Sequence, residues 1–187
     1  SRGLGDVYKR QSYRSSIFQK KRYLITAVNF HFPSTHKLIC HYDSIQVLMK
    51  KKGMISEDLS PIILSELVSE IRSSNLPNPS IIPNVGSFFK NPIINLSKLK
   101  TIKSDFPDLP SFKIDSNNYK IPAAWLIEKC GFKEKRNKNV GVYKNQPLVI
   151  INLGEATGKE ILDFANEIKE TINNNFNIQL KEEVLVI

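Results

Sequence analysis

Thr157-Gly158-Lys159-Glu160 carries the capping-box pattern, and Ile161, Phe164, Ala165, Ile168 and Ile172 come after it at helical spacing. In such a box the threonine hydroxyl accepts from the third helical N–H while the glutamate accepts from the cap's own N–H, which fixes where the helix starts. One apolar face on a long helix needs an apolar surface to cover it, because isolated helices are marginal in water. Val140 to Tyr143 and Leu148 to Ile151 read as two short strands joined by Lys144-Asn145-Gln146-Pro147, a hairpin. Helices and antiparallel strands mixed in this order point to an α+β fold, with helices on a small antiparallel sheet.

Other elements agree with that class. Ser60-Pro61 places a capping hydroxyl and an N1 proline ahead of the stripe Ile63, Leu64, Leu67, Val68 and Ile71. Ser73 to Pro79 stops this helix and reads as a boundary between elements or domains. Leu96, Leu99 and Ile102 predict a short helix, closed by Pro107 and Pro110, and Asp115 to Asn118 predicts a turn. Pro122 opens another helix with Ala123, Leu126, Ile127 and Cys130 on one face and Gly131 as its stop. Tyr23 to Phe32 reads as a strand, with Leu24, Val28, Phe30 and Phe32 sharing a face, and Ile178 to Ile187 as a last strand. Leu38 to Leu48 fits either class.

Composition narrows the functions. A hydrophobic share of 41% and a charged share of 24% suit a globular chain, and no apolar run approaches the roughly 18 residues of a membrane span. Cys40 and Cys130 imply no disulfide framework, which points to a reducing, cytoplasmic setting. The net charge of +9 invites a nucleic-acid reading. Its cations fall in short separated clusters (Lys20 to Arg22, Lys50 to Lys52, Lys133 to Lys138) without interleaved aromatics, so a solvated surface, or a small anionic ligand, is expected instead. His31, His36, Cys40 and His41 lie near one another, but their spacing matches no zinc pattern, so no metal is expected. Residues 1 to 11 have no apolar period and match the translation of a sequencing adapter, so they are expected to be read-through rather than protein.

Asn84 to Pro92 concentrates chemistry: a glycine, a serine directly after it, two aromatics, a lysine and an amide. Glycine lets the backbone take φ > 0 or approach a ligand closely, and the bulky residues after it anchor the chain on leaving the turn. By itself the stretch reads as a turn and a short buried strand. If that strand continues, Ser87 and Asn91 project to one face.

Several landmarks in order carry a family resemblance. They are Tyr13-Arg14-x-Ser16-Ile17-Phe18, Leu76-Pro77-x-Pro79, Gly86-Ser87-Phe88-Phe89-Lys90-Asn91-Pro92, Ala123-Ala124-Trp125-Leu126-Ile127-Glu128, Gln146-Pro147-Leu148-Val149, Asn152, and Leu180-x-x-Glu183-Val184. From residue 12 onward the chain resembles the UDP-N-acetylmuramate dehydrogenases, or UDP-N-acetylenolpyruvoylglucosamine reductases, the MurB flavoenzymes of peptidoglycan synthesis. The resemblance implies that residues 12 to 76 are the tail of a second FAD-binding domain and 77 to 178 a substrate-binding domain. Residues 179 to 187 would then be a strand returning to a first FAD domain, and the main FAD loops would lie upstream of this chain.

The resemblance also implies FAD and NADPH as cofactors and UDP-N-acetylglucosamine enolpyruvate as substrate. Ser87 matches the family's proton donor, and Arg14 and Glu183 match the pair around the substrate carboxylate. Tyr42, Asn91 and Gln146 fall where family members contact the UDP-sugar. Asn75 stands where the family commonly has a phosphate-contacting lysine. Two other classes remain to be weighed: a non-enzymatic nucleotide-sugar-binding module, and a basic nucleic-acid-binding domain. Flavin content separates the first from the reductase, and steep salt dependence of binding would mark the second.

Overall fold

The computed structural model of the chain describes residues 14–20, 23–31, 38, 40 and 42–186. Residues 1–11, Tyr13, Phe32, His36, His41 and Ile187, on which some expectations rest, lie outside the described residues. Contacts divide the chain into two units, 1–39 and 40–187. No helix among the described residues is long and apolar enough to cross a membrane.

In the first unit a 3-10 turn spans Ile17–Lys20, and Gln19 Nε2 donates to the Arg14 carbonyl at 3.1 Å. The strand expected over Tyr23 to Phe32 is absent: residues 23–31 have no regular structure, and Leu24 is 88% and Phe30 74% exposed. Alternation alone does not make a strand. Its N–H and C=O groups need a neighbouring strand, and residues 23–31 join no sheet among the described residues.

The second unit begins with α1 (Asp43–Lys51) and α2 (Pro61–Asn75). Ser60 caps α2 as expected, accepting from Ile63 N at 3.2 Å. Ile45 and Met49 of α1 pack on Leu67 of α2, with Ile63, Leu64 and Ile71 half-buried around them. Leu38 to Leu48, ambiguous in sequence, thus resolves into a helix from Asp43 onward, held by its partner.

The larger layer comes next in the chain: β1 (Asn84–Ser87), β2 (Ile93–Asn95), α3 (Leu96–Asp105), β3 (Phe112–Lys113), β4 (Asn118–Lys120), α4 (Ala123–Lys129), β5 (Arg136–Asn137), β6 (Val140–Val142), β7 (Val149–Asn152) and α5 (Gly158–Phe176). This is the α+β class expected. β1-β7-β6-β5 form one antiparallel sheet and β2-β4-β3 a second. The β6–β7 hairpin and the α5 capping box are both present, with Glu160 N donating to Thr157 Oγ1 at 3.2 Å and Thr157 N to Glu160 Oε2 at 2.8 Å. Phe164, Ala165, Ile168, Ile172 and Phe176 of α5 share one buried cluster with Val142 and Ile150 of the hairpin. Ile168 and Ile172 are fully buried.

The last strand, expected from Ile178, is reduced to a single bridge between Phe89 and Glu182. Asn177 takes a left-handed conformation at φ 51° and turns the chain out of α5. The chain then meets only Phe88 to Lys90 in extended form before Asn91-Pro92 leads into β2. Two backbone bonds join the segments: Lys90 N to the Lys181 carbonyl at 2.9 Å and Glu183 N to the Phe88 carbonyl at 2.8 Å.

Candidate active site around Ser87

β1 pairs with β7 through Asn84↔Ile151 and Ser87↔Val149. Three steps on one strand face two on the other, so the pairing contains a bulge at Val85-Gly86. Gly86 sits at φ 75°, which a side chain would strain. Directly opposed residues share a face, and residues two apart on a strand share it too. Ser87 therefore lies on the face of Val149 and Ile151. Ile150, the residue between them, belongs to the cluster that α5 covers. Ser87 is half-buried, faces away from α5, and its hydroxyl makes no hydrogen bond among the described residues.

The two residues after Ser87 are firmly anchored. Phe88 and Phe89 are 3% and 1% exposed, with ring centroids 5.1 Å apart in an edge-on arrangement. Phe88 N donates to the Leu148 carbonyl at 2.8 Å, extending the pairing one residue beyond β1. The bond from Glu183 N to the Phe88 carbonyl brings the Glu183 backbone alongside the residue next to Ser87. These two sequence-selected residues are thus assembled from chain segments almost a hundred positions apart.

Glu183 is held there partly through its neighbour. Lys169 Nζ on α5 meets Glu182 Oε1 at 2.6 Å, and both side chains are about one third exposed (31% each). That hydrogen bond from Lys169 holds the Glu182 carboxyl below the ordinary glutamate range, outweighing a smaller opposing push from burial. A depressed folded-state pKa contributes stability that is present above the unfolded value of roughly 4.3 and is lost as pH falls through the folded one. Lys169→Met should therefore lower the melting temperature slightly at pH 7, by less than about 1 kcal/mol of stability. The gap between variant and parent should narrow as pH falls below the unfolded glutamate pKa of roughly 4.3 and close only below the lowered folded-state one. Melting curves across that pH range check this; a gap of constant size would exclude the pair as its cause.

Asn91 departs from expectation. The strand ends at Ser87, so the two do not alternate along one strand. Asn91 Oδ1 instead accepts from Ala123 N at 2.9 Å, the first residue of α4. Pro122, the N-cap of that helix, provides no side-chain cap, and Asn91 supplies one from 32 positions away. Its carbonyl is committed to the fold, which leaves the amide N–H groups to offer a ligand.

Gln146 sits half-buried in the β6–β7 turn, where Val149 N donates to its carbonyl at 2.9 Å. The same Val149 opposes Ser87, so the turn stands at the Ser87 end of the sheet. Asn145 Nδ2 donates to the Ser74 carbonyl at 2.8 Å and ties this turn to the end of α2, whose last residue is Asn75. Nothing in the sequence marks Asn145, because a single asparagine in a hairpin turn carries no sign of a partner 71 positions away. Tyr42 is the N-cap of α1, 72% exposed, with its carbonyl accepting from Ile45 N at 2.9 Å. Arg14 belongs to the first unit, exposed, at φ 53°.

Two clefts flank β1. One, of about 730 Å³, is lined by Val85, Phe88, Leu162, Val184 and Val186 among others. The second, of about 640 Å³, includes Pro83, Arg136, Tyr143, Lys144 and Asn152. Its Arg136 and Lys144 give it cationic walls beside Glu134.

Comparison with known proteins adds a family. The family model described as UDP-N-acetylenolpyruvoylglucosamine reductase, C-terminal domain, matches residues 77–187. A UDP-N-acetylenolpyruvoylglucosamine reductase of Flavobacterium johnsoniae is 40% identical over 179 residues, covering 94% of this chain and 52% of that protein. Its namesake in Amoebophilus asiaticus is also 40% identical over 179 residues, with the same two coverages of 94% and 52%. One from Xanthomonas axonopodis pv. citri is 37% identical over 178 residues, covering 94% of this chain and 50% of that protein. The chain thus spans about half the length of the curated relatives it matches.

Proposed function

The chain belongs to the UDP-N-acetylenolpyruvoylglucosamine reductase family, and on that premise we propose that it is the C-terminal, substrate-binding part of a cytoplasmic reductase of peptidoglycan synthesis. The complete enzyme would use FAD and NADPH to convert UDP-N-acetylglucosamine enolpyruvate to UDP-N-acetylmuramate. The observation that carries this reading is the family match over 77–187, a span that contains both the Ser87 bulge and Glu183. In the proposed division of the chain, residues 12 to 76 end a flavin domain, 77 to 178 bind substrate, and 179 to 187 return to a first flavin domain.

None of the described residues is assigned to the flavin. The positive-φ glycines stand singly, Gly86 in the β1 bulge and Gly53, Gly131 and Gly154 outside the strands, and among the described residues they build no dinucleotide cradle. The flavin would supply two-electron chemistry from the parts of the enzyme outside this chain, and the chain on its own should be inactive.

This chain's share of the reaction is the proton. Hydride addition to the enolpyruvyl double bond leaves negative charge spread into the adjoining carboxylate, and the neighbouring carbon must then be protonated. Ser87 Oγ–H is the donor in this reading. A serine hydroxyl is a weak acid, but the carbanion is a far stronger base, and a donor already held in place shortens the path. A hydroxyl with no hydrogen bond among the described residues has its proton available for that transfer. Arg14 and Glu183 are the residues we assign to the substrate carboxylate, with Arg14 pairing bidentately as charge develops. Asn91 through its N–H groups, Gln146 and Tyr42 would bind the UDP-sugar.

Turnover by the complete enzyme tests the reading. Oxidation of NADPH should require the enolpyruvyl UDP-sugar and yield a product heavier by two hydrogens. Absence of such a product from an enzyme that binds flavin would exclude it.

A further inference from the structure

Resting on the proposed function, we infer that Asn84 is a positioning residue for proton delivery: its side chain locks the Val85-Gly86 bulge that turns Ser87 toward the substrate face. Asn84 Nδ2 donates to the Ile82 carbonyl at 2.8 Å, and its Oδ1 accepts from Gly86 N at 2.9 Å. One half-buried amide therefore links the chain ahead of β1 to the bulge itself.

The register shows what the lock decides. With Asn84 held opposite Ile151, a regular strand would set Gly86 opposite Val149 and Ser87 opposite Leu148. A slip of one residue reverses the face of every side chain after it. Ser87 would then turn toward α5, and Phe88, 3% exposed in the α5 cluster, would turn out of it. The extra residue sends the hydroxyl to one side and the phenyl ring to the other. Gly86 makes this possible at φ 75°, but glycine alone is permissive rather than directive. Asn84 supplies the direction, because its two hydrogen bonds tie the Gly86 N–H of the bulge to the Ile82 carbonyl ahead of β1.

Asn84 donates no proton and touches no reacting atom, so its effect should be selective. In the complete reductase, Asn84→Ala should reduce flavin with NADPH at the wild-type rate. Reoxidation of the reduced flavin by UDP-N-acetylglucosamine enolpyruvate should slow by about 100-fold, the scale of an ångström-sized misplacement. The solvent deuterium isotope effect on that reoxidation should rise as proton transfer becomes limiting. Asn84→Asp keeps the acceptor for Gly86 N–H and should recover much of the loss. Gly86→Ala serves if Asn84→Ala fails to fold: its added Cβ meets nothing within 4 Å, so it perturbs only the backbone, and it should give the same selective loss. A purely structural role would instead lower both half-reactions together with the folded fraction, and that outcome overturns the inference. So does wild-type reoxidation in folded Asn84→Ala or Gly86→Ala, while leaving the proposed function intact. Failure of the substrate to reoxidise the wild-type flavin removes the function and this inference with it.

Discussion

Ser87→Ala in the complete reductase is expected to leave flavin reduction by NADPH unchanged and to slow flavin reoxidation by the enolpyruvyl substrate by about 10²- to 10⁴-fold, the usual contribution of a positioned acid. The reason lies in what the substitution leaves alone. Ser87 is half-buried on the sheet face away from α5, and its hydroxyl makes no hydrogen bond among the described residues. Removing one oxygen there opens no core cavity and orphans no buried partner, so stability should stay within about 0.5 kcal/mol of the parent. The bulge is held by Asn84 and Gly86, not by Ser87, and the backbone should keep its path. Stopped-flow absorbance of the flavin separates the two half-reactions. Unchanged reoxidation would remove Ser87 from the mechanism.

Phe89→Ala should be the most destabilising single change near the site, costing about 3–5 kcal/mol. Phe89 is 1% exposed, stacks edge-on against Phe88, and belongs to the same buried cluster as α5. Its backbone also forms the bridge to Glu182. Truncation leaves a ring-sized cavity and loosens the contact between the chain's C-terminal segment and the residues after Ser87. Urea unfolding should show a midpoint lowered by a loss of that size. Phe89→Leu, which retains most of the volume, should lose much less. Equal losses for the two variants would mean that the cavity is not the cause.

The helices are legible in the sequence because their signals are local. Caps at Ser60 and Thr157, the proline at 61 and the apolar stripes all lie within a few residues of the structure they specify. The β6–β7 hairpin is legible for the same reason. The β2-β4-β3 sheet is not, since strands of two and three residues are too short to show alternation. Tyr23 to Phe32 shows the opposite failure: a clear β-like pattern, yet its described residues 23–31 form no strand. Burial decides a strand, and pattern alone cannot supply the neighbour.

At the site, residue types are readable and their connections are not. Ser87 and Glu183 stand out through matching motifs, but the bonds joining their segments pair Phe88 with Glu183 and Lys90 with Lys181, across nearly half the chain. Asn91, expected beside Ser87 on a strand, instead caps α4, because Pro122 provides no side-chain cap there. The bulge at Val85-Gly86 is hidden altogether. A glycine before a serine suggests positive φ, yet only the register against Ile151 and Val149 reveals that one residue too many occupies β1. That extra residue decides which way the serine faces.

Anaerobic single turnover tests the central claim most directly. The complete enzyme is reduced with one equivalent of NADPH and then mixed with UDP-N-acetylglucosamine enolpyruvate while flavin absorbance is followed. Rapid return of the oxidised flavin spectrum, with formation of UDP-N-acetylmuramate in equal amount and loss of both in Ser87→Ala, is the predicted result. A flavin that stays reduced in the presence of the substrate would contradict the account.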